Sequence, residues 1–195
     1  MKALIGFTGS YGSGKRKVPQ ELARRYGYSY YSVRERIEKL FKRNRHRKAK
    51  NQNELTLFAN NFRQKKGCES IIAPLLAKIF KSNGEGIYLI ESFLCPFELE
   101  YFESECAKHG VEYKLIGLNA KIEDRLKRLQ KRSEFKSVTI IEQLRTIEWR
   151  DECQLEPWQV NAEKCLEAVP EEGIFQNDNG QLSKTVEDIN RYILR

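Results

Sequence analysis

At 195 residues, with 40% hydrophobic and 32% charged residues, the chain can fill the core of one compact domain and is too apolar for wholesale disorder. The net charge is +8, no apolar run approaches the roughly 20 residues that span a bilayer, and Gly6 interrupts the first apolar run too early for a signal peptide. Five widely spaced cysteines (Cys68, Cys95, Cys106, Cys153, Cys165) form no Cys-x-x-Cys pair, and with only His46 and His109 beside them they suit reduced, cytoplasmic thiols better than a disulfide framework or a zinc site.

Lys2 to Thr8 reads as a buried strand. A helix is expected from Lys15 to Tyr26, where Val18, Leu22 and Ala23 hold helical spacing and Gly27 ends the run. Tyr28 to Val33 is aromatic and β-prone, a second strand. Helical patterns follow from Arg34 to about Arg43, from Glu54 to Gln64 and from Glu69 to Lys81. Gly84 and Gly86 introduce a third strand at Ile87 to Ile90. Pro96 to Lys108 is a helix closed by Gly110, and Val111 to Leu118 is a fourth strand. Ile122, Leu126 and Leu129 stripe the next helix. Two more helices are expected over Val138 to Arg150 and Pro157 to Ala168. Ile174 and Phe175 make a short fifth strand, Asn179-Gly180 a turn, and Leu182, Val186, Ile189 and Ile193 a terminal helix.

Alternating strands and helices imply an α/β fold of three layers, a five-stranded parallel sheet with helices on both faces. Ligands in such sheets bind beyond the carboxyl ends of the strands, which gathers the loop after the first strand, Glu91 and Asn119 around one crevice. The expected organisation is a single domain over 1–195 with an insert at about 34–68.

That insert carries the charge. Arg34 to Lys66 holds twelve basic residues against three acidic ones, a local charge of +9, and leaves the rest of the chain close to neutral. It suits either a phosphate-bearing substrate or RNA, by Coulomb steering and counterion release, or else it is a solvated, flexible segment. Phe41 is the only aromatic residue between Arg34 and Lys50, so base stacking has little support there.

The most specific motif is Gly9-Ser10-Tyr11-Gly12-Ser13-Gly14-Lys15, set between the first strand and the first helix. Glycines let main-chain amides turn around an anion, the helix start adds its positive end, and Lys15 can reach a phosphate chain. Ser or Thr normally follows the lysine and ligates Mg²⁺; here Arg16 and Lys17 follow, and Arg16 can hold phosphate but not a cation. Glu91 ends the third strand, where a carboxylate could hold magnesium or activate a hydroxyl. Arg125, Arg128 and Arg132 lie at i, i+3 and i+7, on one helix face opposite Ile122, Leu126 and Leu129, as phosphate-directed forks or as a solvated stripe.

On the glycine loop, Glu91, the arginine series and the late Asn177-Asp178-Asn179-Gly180, the sequence resembles the P-loop nucleoside monophosphate kinases, including dephospho-CoA kinases and adenylate- or cytidylate-kinase-like proteins. The resemblance implies ATP at Gly9 to Arg16 with Asn177 near the base, Mg²⁺ near Glu91, and a lid at about 132–150. It implies Lys15, Arg128 and Arg132 on the transferring phosphate, and an acceptor bound in the basic insert through Arg34 or Arg36, beside Arg125. The acceptor would be a nucleoside monophosphate or dephospho-CoA. Family members often carry Asp near the end of the second strand; Ser32 stands here, which leaves Glu91 as the candidate base. Two other readings stay open, a nucleotide-binding regulator without turnover and an RNA-associated P-loop protein.

Overall fold

In the computed structural model, residues 2–132, 139–151 and 159–195 are described, 149–151 by their backbone alone. Five strands, β1 (Lys2–Gly9), β2 (Ser29–Ser32), β3 (Gly86–Glu91), β4 (Glu112–Asn119) and β5 (Ile174–Gln176), form one sheet in the order β2-β3-β1-β4-β5. Each neighbouring pair is parallel. Around them lie α1 (Lys17–Tyr26), α2 (Val33–Arg45), α3 (Gln52–Lys66), α4 (Ala73–Lys81), α5 (Pro96–Lys108), α6 (Ile122–Gln130), α7 (Ile140–Asp151), α8 (Ala162–Glu167) and α9 (Leu182–Ile193).

Successive residues of a strand point to opposite faces, and the two cores follow that alternation. On one face Leu4, Tyr88, Ile90 and Leu115 meet Ile72, Leu76 and Ile79 around α4 and Leu99 and Phe102 of α5. On the other, Ile5, Phe7, Leu89, Ile116 and Leu118 meet Val18 and Leu22 of α1 and Val186, Ile189 and Ile193 of α9. The central strands are buried on both sides, which is why they read as near-continuous apolar runs. No helix among the described residues is long and apolar enough to cross a membrane.

The order sets the crevice. From β1 the chain crosses to β2 on one side, and from β3 it passes over β1 to β4 on the other. The carboxyl end of β1 is therefore a switch point, open between diverging connections. Hydrogen bonds fix its neighbours: Phe93 N–H donates to the Phe7 carbonyl (2.8 Å), Thr8 Oγ1 to the Phe93 carbonyl (2.8 Å), and Ser10 N–H to the Leu118 carbonyl (3.2 Å).

Several boundaries differ from the sequence reading, each for a local reason. Val33 opens α2 instead of closing β2, because Ser32 caps that helix, its Oγ accepting from Glu35 N–H (3.1 Å). The run from Glu69 to Lys81 divides into a 3-10 turn at Cys68–Ser70 and α4, which starts beside Pro74, a residue suited to a first helical turn. Of the expected helix over 157–168, 157 and 158 lie outside the described residues, and the helix begins only at Ala162, capped by Asn161 (Oδ1 from Lys164 N–H, 3.0 Å). Residue 138, at the start of another expected helix, also lies outside them.

The basic insert is built as two packed helices. Phe41 of α2 and Phe58 of α3 meet edge to face, Phe58 lies against Phe62, and the Arg47 guanidinium sits 5.3 Å from the Phe41 ring centre. α3 is anchored to α5 by an ion pair inside the protein, Arg63 Nε to Glu98 Oε1 at 2.9 Å, with both side chains at most 2% exposed. Removing one member of such a pair strands a buried charge. Glu98→Ala should therefore cost about 3–5 kcal/mol in urea unfolding, and Arg63→Met with Glu98→Leu should recover most of it.

Candidate functional site

The loop between β1 and α1 bends where only glycine is comfortable. Gly9 sits at φ +148°, and a Cβ there would lie 2.2 Å from the Leu118 carbonyl oxygen. Gly14 sits at φ +100°, and its Cβ would lie 2.3 Å from Asn177 Nδ2. Beta carbons at these points would push the loop off β4 and off the turn after β5.

From behind, side chains grip the loop by its carbonyls. Arg125 Nε donates to the Tyr11 carbonyl (2.7 Å). Arg128 Nη1 donates to the carbonyls of Gly12 and Ser13 (3.1 Å each), and Asn177 Nδ2 also donates to Ser13 (2.7 Å). Arg128 reaches on to the Asn177 carbonyl and to Asn179 Oδ1, while Asn179 Nδ2 donates to Asp124. In a trans peptide the C=O and the next N–H point oppositely. Holding the carbonyls of Tyr11 and Ser13 backward therefore turns the N–H groups of Gly12 and Gly14 forward, into a cleft both glycines line.

This corrects the reading of the arginine helix. Arg125 is buried on the same side as Leu129, whereas Ile122 is exposed, so the three arginines are not a face opposed to the apolar stripe. Arg125, Arg128 and Asn177 support the loop from behind and do not line the cleft. Only Arg132 reaches it, with its guanidinium 5.4 Å from the Tyr11 ring centre and 3.3 Å from its hydroxyl. Tyr11 packs with Leu129 and with Ile147 of α7, which ties the loop to the expected lid. Of that lid, 133–138 lie outside the described residues.

The cleft holds about 700 Å³ and has two ends. One is the loop, with Gly12, Gly14, Lys15 and Arg16; Lys15 Nζ donates to the Ser10 carbonyl (2.9 Å), and Ser10 Oγ to Asn119 Oδ1 (3.2 Å). α1 begins here with no side-chain cap and no acid in its first turn, so its positive end is left for an anion. The other end is the insert, with Arg34, Ile37, Gln52, Thr56 and Arg63. Arg34, on the lining, pairs with Glu38 (2.8 Å). Arg36 turns away, donating to the Ile71 carbonyl. Of these two arginines, Arg34 is the one on the cleft. The sequence reading missed Gln52, Thr56 and Arg63; their spacing of four and seven along one helix face was the available signal.

Glu91 stands between the two ends. It is 1% exposed and accepts from the Ser32 hydroxyl through Oε1. Burial pushes its carboxyl above the usual range, against the opposing pull of that hydrogen bond, of Arg16, of Tyr30 and of Lys15. Tyr30 is pushed up to about 12, by burial and then by Glu91. A buried carboxyl next to cations, facing a cleft, can exchange a proton with a bound hydroxyl.

A magnesium ion at a phosphate site takes one or two protein oxygens beside substrate phosphates and water, and few protein oxygens are offered here. Positions 16 and 17 offer none. The Ser32 hydroxyl is committed to Glu91 and to Glu35 N–H, and Glu91 Oε1 is taken in turn. No group of three or more His, Cys, Asp and Glu side chains fit to hold a metal occurs among the described residues. For Mg²⁺ at Glu91 the chain thus offers one buried carboxylate and no hydroxyl at 16 or 17.

No family model matches the sequence, and no curated protein does either. Solved structures do match over the whole length. TT1252 of Thermus thermophilus superposes with a TM-score of 0.61 at 16% identity, covering 99% of this chain and 96% of that one. Shikimate kinase from Bacteroides thetaiotaomicron gives 0.55 at 12%, covering 100% and 99%. The APS kinase CysC of Mycobacterium tuberculosis, in complex with AMPPNP and APS, gives 0.53 at 12%, covering 100% and 98%. At such identities the likeness is one of fold, a five-stranded parallel α/β sheet with helices that this chain shares with these structures.

Two expectations follow from this geometry. Arg128→Met should speed amide hydrogen exchange across 9–15 and weaken nucleotide binding by about tenfold, the scale of one or two lost charged hydrogen bonds. A carboxyl raised by folding binds its proton more tightly folded than unfolded, so it costs stability as pH climbs from the ordinary carboxylate value through the raised one. Glu91→Gln should therefore melt higher than the parent at neutral pH, and the gap should close near pH 4, as read by circular dichroism.

Proposed function

We propose that this chain is a P-loop phosphotransferase that takes a nucleoside triphosphate, ATP being the reference ligand, and passes its γ-phosphoryl group to a phosphate-bearing, nucleotide-like acceptor. Nucleoside monophosphates and dephospho-CoA are the acceptors proposed. The observation that carries this reading is one continuous cleft running from the glycine loop, past Glu91, to Arg34 and Arg63. A donor phosphate chain fits the first end, where forward amides, Lys15, Arg16 and Arg132 supply positive charge. An acceptor phosphate fits the second, where Arg34 supplies a fork.

In the transfer, the bond from the γ-phosphorus to its bridging oxygen breaks and one to an acceptor oxygen forms. Where that oxygen is a hydroxyl, as on dephospho-CoA, its proton goes to Glu91; a monophosphate acceptor attacks through an already ionised oxygen and releases none. Lys15 and the arginines meet the charge on the transferring group, and the α6–α7 side, closing through Tyr11 and Arg132, excludes water. The fold neighbours support the reading at the level of class, since two of them are kinases by name and one was solved with AMPPNP.

A second reading, a nucleotide-binding regulator without turnover, is favoured by one observation: the carboxyl proposed as base already accepts the Ser32 hydroxyl. Both make the same expectation for binding and differ in transfer. With labelled ATP and a panel of nucleoside monophosphates and dephospho-CoA, Lys15→Ala should lower transfer about 10²–10³-fold, and Glu91→Gln should lower kcat more than it raises KM. Tight ATP binding by calorimetry with no transfer to any acceptor would select the regulator.

A further inference from the structure

We infer that the phosphate site has exchanged its metal seat for protein cations, so that nucleotide binding here needs no divalent ion; the inference rests on the nucleotide-site reading above. In phosphate-loop enzymes the ion is held by the hydroxyl after the loop lysine and by a carboxylate from a neighbouring strand. One of these provisions is altered in this chain: Arg16 and Lys17 replace the hydroxyl. The strand carboxylate remains as Glu91 at the end of β3 beside β1, but it is buried and accepts the Ser32 hydroxyl.

Charge compensates for what the donors lack. Arg16 is exposed and lines the cleft beside Lys15. Glu91, at the end of β3, lines the same cleft, so Arg16 and that strand end share one space. That is the neighbourhood in which a loop-held cation would stand, between the first residue of α1 and the strand ends. A guanidinium there repels a divalent ion and binds phosphate oxygens as a fork. Lys15, Arg16 and Arg132 bring three positive charges to one end of the cleft, against the several negative charges of a triphosphate.

The test is isothermal titration with ATP and ADP, once in millimolar EDTA and once in millimolar MgCl₂, on the full chain, with circular dichroism melting as the control for folding. For the parent protein the ATP dissociation constant should differ by less than about threefold between the two buffers. Arg16→Gln should weaken ATP binding by about tenfold or more in EDTA, and magnesium should not restore it. Arg16→Ser returns a hydroxyl to the position; it should bind weakly in EDTA and regain affinity in magnesium. Parent binding that tightens about tenfold or more with magnesium overturns the inference while leaving the nucleotide site intact, and so does an Arg16→Gln protein that binds like the parent in EDTA. Failure of ATP and ADP to bind the folded parent in either buffer overturns the nucleotide-site reading, and the inference with it.

Discussion

The structure around the cleft depends on the fixing of three carbonyl groups. Tyr11, Gly12 and Ser13 have their main-chain oxygens held from behind by Arg125, Arg128 and Asn177. Peptide planarity then turns amides forward before any ligand arrives. An anion entering such a loop need not reorganise it, so more of each N–H···O interaction is available for binding. The cost falls elsewhere, in burying most of an arginine and desolvating Arg128, whose pKa is lowered by that burial while Asp124 and Asp178 offset it. The turn after β5 is thereby made part of the loop, although more than 160 residues separate Ser13 from Asn177 in the chain.

Electrostatics divides the cleft in a way composition does not show. At the loop end Lys15 donates to the Ser10 carbonyl and Arg132 lies against the Tyr11 ring. The insert end holds its arginines in acid pairs, Arg34 with Glu38 and Arg63 with Glu98. Paired arginines keep their fixed geometry and present less net charge. Glu91, buried between the two ends and tied to Ser32, sits where both fields overlap.

The insert also shows why charge counts alone mislead. Twelve basic residues within 34–66 read equally as a solvated tail or as a binding surface. Folded, the segment divides its basic residues among jobs. Arg63 is a buried anchor, Arg36 ties α2 to the Ile71 carbonyl, Arg47 bonds Glu54 and stacks on Phe41, and Arg34 reaches the cleft. Residues identical in a composition table do four different things, because their surroundings in space differ.

Sequence alone determined the layered α/β architecture, the strand–loop–helix placement of the glycine motif, and the gathering of Glu91 beside it. These follow from local patterns, the periods of apolar residues and the steric freedom of glycine, which a reader of the chain can count. The sheet order, the choice of Arg34 over Arg36, and the roles of Arg125, Arg128 and Asn177 were decided only by tertiary structure. The physical reason is that a side chain's function is set by the partner it meets, and here those partners, a carbonyl in a distant loop or a carboxyl on another helix, are brought close by packing and leave no mark at the residue's own position in the sequence.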